Sequence, residues 1–218
     1  MTTSRRTILL DVSTPPLAQA LKDSFAADAT VHTLPSNVAP DAVSSQYPST
    51  DALILSPRVN SPQPADSLTA TWEAAGEPAL RRCIGLMTAV GAGMVVRQRG
   101  VILVIGGLSG LTGFPGWTLA STLEGALVAL TRSLACEWSP HGVRVLYLAA
   151  SPSEEVPLEN GVGTGTTASF TERTPLKRLA TPEAIAKVAH YLAGERASFV
   201  TGTPVRADGG WTSWGLLR

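Results

Sequence analysis

Cysteine is nearly absent from this 218-residue chain: Cys83 and Cys136 stand alone, far apart and outside any Cys-x-x-Cys or Cys/His cluster. That excludes a disulfide scaffold and a zinc site, and it suits a reduced, cytoplasmic setting. Net charge is absent too, with 17 basic side chains against 17 acidic ones. Without a basic excess to condense on phosphates, nucleic acid and anionic membranes are poor partners. Long apolar runs are also lacking. Behind Arg5 and Arg6 the run Ile8-Leu9-Leu10 stops at Asp11, too short for a secretory core. Residues 101–123 are uncharged and have the length of a membrane span, but Gly106, Gly107, Gly110, Gly113, Pro115 and Gly116 break them into strand and loop. What remains is 44% hydrophobic and 16% charged, enough for a sizeable core. The length fits one domain over residues 1–218.

Periodicity supplies the architecture. Residues 7–12, 30–34, 52–55, 101–105, 143–148 and 204–207 are short apolar or β-branched runs of strand character. Helical patterns lie between them. Pro15-Pro16 opens one, with Ser13 and Thr14 as capping candidates. A second runs over 67–96 and is expected to be split by Pro78. The clearest covers 118–138, with Leu119, Leu123, Leu127, Leu130 and Leu134 on one stripe. Thr181-Pro182-Glu183 opens a last helix ending near Gly194. Residues 35–50 and 150–170 read as irregular. Strands alternating with helices predict an α/β chain with a Rossmann-like, doubly wound parallel sheet in three layers.

Several segments of the second half resemble the short-chain dehydrogenase/reductase family. Gly100-Val-Ile-Leu-Val-Ile resembles its central strand and Leu130-Thr-Arg-Ser-Leu-Ala its active-site helix. His141-Gly-Val-Arg-Val is similar to the strand that follows. Pro175-Leu-Lys-Arg-Leu-Ala-Thr-Pro-Glu-Ala-Ile-Ala and Thr201-Gly-Thr-Pro-Val-Arg-Ala-Asp-Gly-Gly-Trp resemble its ending. The likeness covers roughly residues 95–211, while residues 1–60 share only the strand-helix pattern, and the stretch before Ala52 is too short for the whole set of two helices and a strand that the family has there.

The resemblance implies NAD(P)-dependent oxidoreductase chemistry, yet the positions that would carry it are changed. The family's Gly-rich turn is here Asp11-Val-Ser-Thr-Pro-Pro, without glycine and with two residues that have no N–H. Its Asn-Asn-Ala-Gly segment corresponds to Leu55-Ser56-Pro57-Arg58. Its Ser, its Tyr thirteen residues on and its Lys four beyond fall at Gly107, Ala120 and Glu124. Gly107 has no hydroxyl, Ala120 exchanges no proton, and Glu124 reverses the lysine's charge. One lost proton-transfer group already costs ~10²–10⁴ in rate. The family's later Asn falls at Leu146, its Pro-Gly at Ala150-Ser151, and its Thr near Glu155, or Pro152 after a one-residue slip. No cofactor-binding or metal-binding residue is therefore expected, and no cofactor.

Replacements are few. Ser109 can stand in for the missing hydroxyl or serve a turn. Glu124, if it faces the old cleft, gains acid/base character through burial, or else is a solvated or interface-paired carboxylate. Tyr147 reads as packing and His141 as a turn residue, His32 and His190 have no Cys or His at metal spacing, and Trp211 and Trp214 read as interface anchors.

The preferred reading is a catalytically silent homologue, a structural or regulatory subunit of a hetero-oligomeric dehydrogenase with an active paralogue. It would assemble as a homo- or hetero-oligomer through residues 118–138, 182–195 and the C-terminal segment. The alternatives are a non-redox dehydratase, lyase or cyclase using Glu124 and Ser109, and a divergent NAD(P)-dependent oxidoreductase.

Overall fold

The computed structural model describes residues 5–59, 64–152 and 167–214. Six strands, β1 (Arg6–Val12), β2 (Ala29–Thr33), β3 (Ala52–Ser56), β4 (Gly100–Gly106), β5 (Val143–Ala150) and β6 (Pro204–Ala207), form one sheet. All five pairings are parallel and the order is β2-β1-β3-β4-β5-β6. The chain moves outward from β1 to β2, then returns past β1 to β3. The switch point therefore lies between β1 and β3, where the carboxyl ends of the strands open a crevice.

The pleat divides each strand between two cores. Ile8 and Leu10, Ala52 and Ile54, Leu103 and Ile105, and Leu146 and Leu148 face α1 (Pro15–Phe25) and α7 (Pro182–Ala193). Leu9, Leu53, Leu55, Ile102, Val104, Val145 and Tyr147 face the other side. That side is covered by the helix ending at Arg97 and by α5 (Thr118–Trp138). These strands are buried on both faces, which explains their continuous apolar sequences.

Four local expectations are corrected. Residues 35–50 contain a helix, α2 (Pro40–Gln46), started by a proline in its first turn and held down by buried Val43. Pro78 does not split its helix. Residues 65–97 run on continuously through α3 (Leu68–Thr71), a π turn (Trp72–Gly76) and α4 (Glu77–Arg97). The Glu77 N–H donates to Trp72 O, and the wider turn absorbs the carbonyl displaced by the proline ring. Thr14 occupies the N-cap of α1 but makes no side-chain capping bond. The Ser13 hydroxyl instead donates to Ser56 O at 3.2 Å. The expected loop of 150–170 ends in α6 (Thr167–Arg173), and the part between lies outside the described residues.

The α3–α4 helix is long and apolar enough to cross a membrane, and 33% of its most apolar window is buried. Its inner stripe, Cys83, Leu86, Met87, Val90 and Met94, packs on the sheet. Arg82, on the same helix, reaches the far ends of β1 and β2. Its guanidinium donates to both Asp11 carboxylate oxygens, with Nη2–Oδ1 at 2.7 Å and Nε–Oδ2 at 2.9 Å. It also donates to Val38 O at 3.1 Å and Pro35 O at 3.0 Å. A planar fork suits this bidentate geometry, and a point-charge ammonium does not. Arg82→Ala is expected to cost about 2–3 kcal/mol, because it strands a largely buried carboxylate, and Arg82→Lys is expected to recover less than half. Urea unfolding of the three proteins checks both.

Candidate functional site

The crevice at the switch point is a cavity of about 200 Å³. Its floor is the carboxyl end of β4 and the turn beyond it. One wall is the start of α1 with Thr14, Pro16 and Leu17, and another is Ser56-Pro57-Arg58-Val59 after β3. Helix α5 supplies Ala120, Leu123 and Glu124, and Phe114, Trp117 and Phe170 close the apolar side. Gly107, Ala120 and Glu124, separated by up to 17 positions in sequence, thus meet on one cavity. Ser109 lines it as well.

Glu124 sits one helical turn beyond Ala120 and turns its carboxylate onto the loop after β4. It accepts from the Ser109 hydroxyl at 2.5 Å, the Gly107 N–H at 2.9 Å and the Gly110 N–H at 3.1 Å. The short 3₁₀ turn Leu108–Gly110 is therefore capped by a side chain from α5. Burial pushes the Glu124 carboxyl above its ordinary value, and the bonds from Ser109, Gly107 and Gly110 pull it partway back.

The fit is steric as well as polar. A Cβ on Gly107 would stand 2.8 Å from Glu124 Oε1 and 3.1 Å from Oε2, and one on Gly110 would stand 2.9 Å from the Glu124 backbone carbon. A side chain at 107 and the present Glu124 conformation exclude one another. Ser109 is buried and spends its hydroxyl on Glu124.

Tyr147 is not a displaced catalytic tyrosine. It is fully buried on β5 beneath Gly106, and its hydroxyl donates to Gly107 O at 3.2 Å. Burial, with Glu124 nearby, drives its pKa far up. Cys83 is equally inert, its thiol pushed to about 12 by burial. Among the described residues no three His, Cys, Asp or Glu side chains converge as a metal site. His141 lies 3.1 Å from Gln98, and His190 pairs with Asp28 at 3.3 Å. His32 packs against Tyr47 with ring centroids 4.9 Å apart.

The expectation that Trp211 anchors an interface is corrected. Trp211 is buried within the chain, stacked on Phe170 at 5.1 Å and Phe114 at 5.0 Å, with the Arg173 guanidinium 4.0 Å above its ring. It holds α6 against the loop before α5. Trp214 lies beneath Lys177 Nζ at 4.8 Å. Sequence reasoning missed Arg58, whose position after Pro57 turns it to the cavity wall. Arg58 is exposed overall; partial desolvation at the wall lowers its pKa and the Glu124 charge opposes the shift. Glu155 lies outside the described residues.

A dinucleotide would need backbone N–H groups at the start of α1 and open space beyond β1 and β2. Pro15 and Pro16 supply no N–H there, and Asp11 with Arg82 fills the ground beyond the strand ends. These residues do not fit it.

Residues 17–212 match the family model described as enoyl-(acyl carrier protein) reductase. Among curated proteins the chain is 35% identical over 127 residues to inactive 2-(S)-hydroxypropyl-CoM dehydrogenase 2 of Xanthobacter autotrophicus, covering 56% of this chain and 55% of that protein. It is 36% identical over 127 residues to 2-(S)-hydroxypropyl-CoM dehydrogenase 3 of the same organism, covering 56% and 50%. The matched region thus spans about half the length of those relatives. Among solved structures, a short-chain dehydrogenase/reductase family oxidoreductase from Burkholderia thailandensis superposes with a TM-score of 0.82 at 21% identity, over 97% of this chain and 94% of that one.

Two outcomes follow from the Glu124 geometry. Gly107→Ser is expected to cost about 1–3 kcal/mol through overpacking, and clearly less in a Glu124→Ala background, so the pair is non-additive in urea unfolding. Because the folded carboxyl titrates above its unfolded value, native Glu124 favours folding below pH 4.5, its ordinary value, and this contribution is lost as pH rises through the folded pKa. Glu124→Gln is expected to flatten that decline in a stability–pH profile.

Proposed function

The chain belongs to the short-chain dehydrogenase/reductase family, and we propose that within it this protein is a subunit without dinucleotide-dependent redox chemistry of its own, assembling with an active relative. The observation that carries this reading is the Glu124 carboxylate, bonded to Gly107, Ser109 and Gly110 where the family places its lysine ammonium. A lysine there holds the cofactor ribose and lowers the tyrosine pKa. A carboxylate does the opposite, and Ala120 leaves no tyrosine to act on. The start of α1 offers a dinucleotide no glycine, and its first two positions, Pro15 and Pro16, have no N–H to donate. The name of one relative, an inactive 2-(S)-hydroxypropyl-CoM dehydrogenase, is consistent with such loss, while other relatives are named as dehydrogenases.

Surface composition supports assembly. Ile84 and Val96 are exposed on α4, Tyr191 on α7, and Phe199 wholly before β6. The outer face of α5 carries small exposed side chains at Thr122, Ala129, Ser133 and Cys136, which let another helix approach closely. A non-redox activity in the cleft is the second reading, favoured by the raised Glu124 pKa. Three donors already occupy that carboxylate, so the first reading is preferred.

Titration with NADH and NADPH to about 1 mM is expected to give no saturable binding. The triple variant Gly107→Ser, Ala120→Tyr, Glu124→Lys is expected to remain without reductase activity, because the α1 cradle is still missing. Sedimentation of the co-expressed chain with an intact family member is expected to show a mixed oligomer. Micromolar cofactor binding, or a chain that stays monomeric beside every intact relative, would overturn the reading.

A further inference from the structure

We propose that the cleft is a binding site for a small one-ring monocarboxylate, with the carboxylate on Arg58 and the ring against the apolar walls. The reading goes beyond the non-catalytic assignment and does not depend on a partner subunit.

Size sets the first limit. An apolar cavity of about 150 Å³ admits benzene, and drug-sized ligands occupy roughly 300–1,000 Å³. At about 200 Å³ this cleft holds one ring with a short head group. The walls suit a ring: Leu17, Val59, Ile105, Phe114, Trp117 and Phe170 surround the space.

Charge sets the second limit. Among the described residues the one carboxylate on the cavity is Glu124, whose oxygens are engaged by a hydroxyl and two N–H groups that hold it on the loop after β4. The opposite side is electropositive. Arg58, an exposed residue, lines the wall with its charge within reach of Glu124. Two helices of 11 and 12 residues, α1 and α7, begin at the same cavity with Thr14 and Pro16, and with Pro182. Their N-terminal dipole ends add to the arginine's field. Pro15, Pro16 and Pro182 lack N–H groups, so the helix starts contribute chiefly field, and Arg58 supplies the planar fork that a carboxylate fits. An apolar body with one anionic head matches both sides, whereas a polyphosphate matches neither the volume nor the donors.

The test uses the full chain, with benzoate as probe, benzyl alcohol as the ring without charge, and acetate as the head without ring. Binding is read by Trp117-sensitive fluorescence and by the shift in Tm. Benzoate is expected to saturate at about 1 mM or below, with benzyl alcohol and acetate each at least tenfold weaker. Arg58→Met is expected to weaken benzoate at least tenfold while leaving benzyl alcohol unchanged. Leu17→Trp, at the cavity rim, is expected to weaken both ring compounds with an unaltered circular dichroism spectrum. Equal affinity for benzoate and benzyl alcohol, benzoate binding unaffected by Arg58→Met, or no saturation by benzoate would overturn the proposal. None of these results bears on dinucleotide binding or on assembly, which the preceding experiments address separately.

Discussion

A carboxylate folded back onto the turn after β4 governs the cleft. Glu124 collects the Gly107 and Gly110 N–H groups and the Ser109 hydroxyl, fastening α5 to the end of the central strand. Because its oxygens stand where a Cβ at 107 would go, the substitutions at 107 and 124 form one packed solution. The same carboxylate raises the pKa of Tyr147 behind it and opposes the burial shift of Arg58 across the cavity. The corner is a polar clasp of one carboxylate and three donors.

The opposite end of the crevice is closed by independent means. Asp11 points toward the ground beyond β1, where a free carboxylate would repel phosphate. Arg82 neutralises it bidentately and ties it to the carbonyls of Pro35 and Val38. The two clasps share no residue: one fastens the turn after β4 and the other the ground beyond β1. Between them lies a cavity bounded by apolar side chains and latched by the Phe114–Trp211–Phe170 stack.

Much of this was legible from residue order. The strand runs carry β-branched and aliphatic residues on both faces, and α5 and β6 lie over the expected residues, 118–138 and 204–207. Three failures share a physical cause. The α2 helix is short and its stability comes from Val43 packing, which propensity does not report. Pro78 breaks a helix only if the preceding turn stays α, and the π turn at 72–76 removes that condition. Trp211 looks like a free aromatic near a chain end until its two stacking partners are found 41 and 97 positions earlier.

The amino-acid order by itself determined the alternation of strands and helices, the missing glycines before α1, and the absence of Ser, Tyr and Lys side chains at 107, 120 and 124. Those are matters of composition and local period, which sterics and hydrogen-bonding capacity decide residue by residue. Only the tertiary structure decided what the replacements do. Whether Glu124 points to solvent or to three donors, whether Asp11 is free or held by Arg82 from 71 positions away, and whether Arg58 faces the cleft all depend on which distant segments the sheet brings together. Charge and hydrogen bonding act over a few ångströms, and those distances exist only once the chain has folded.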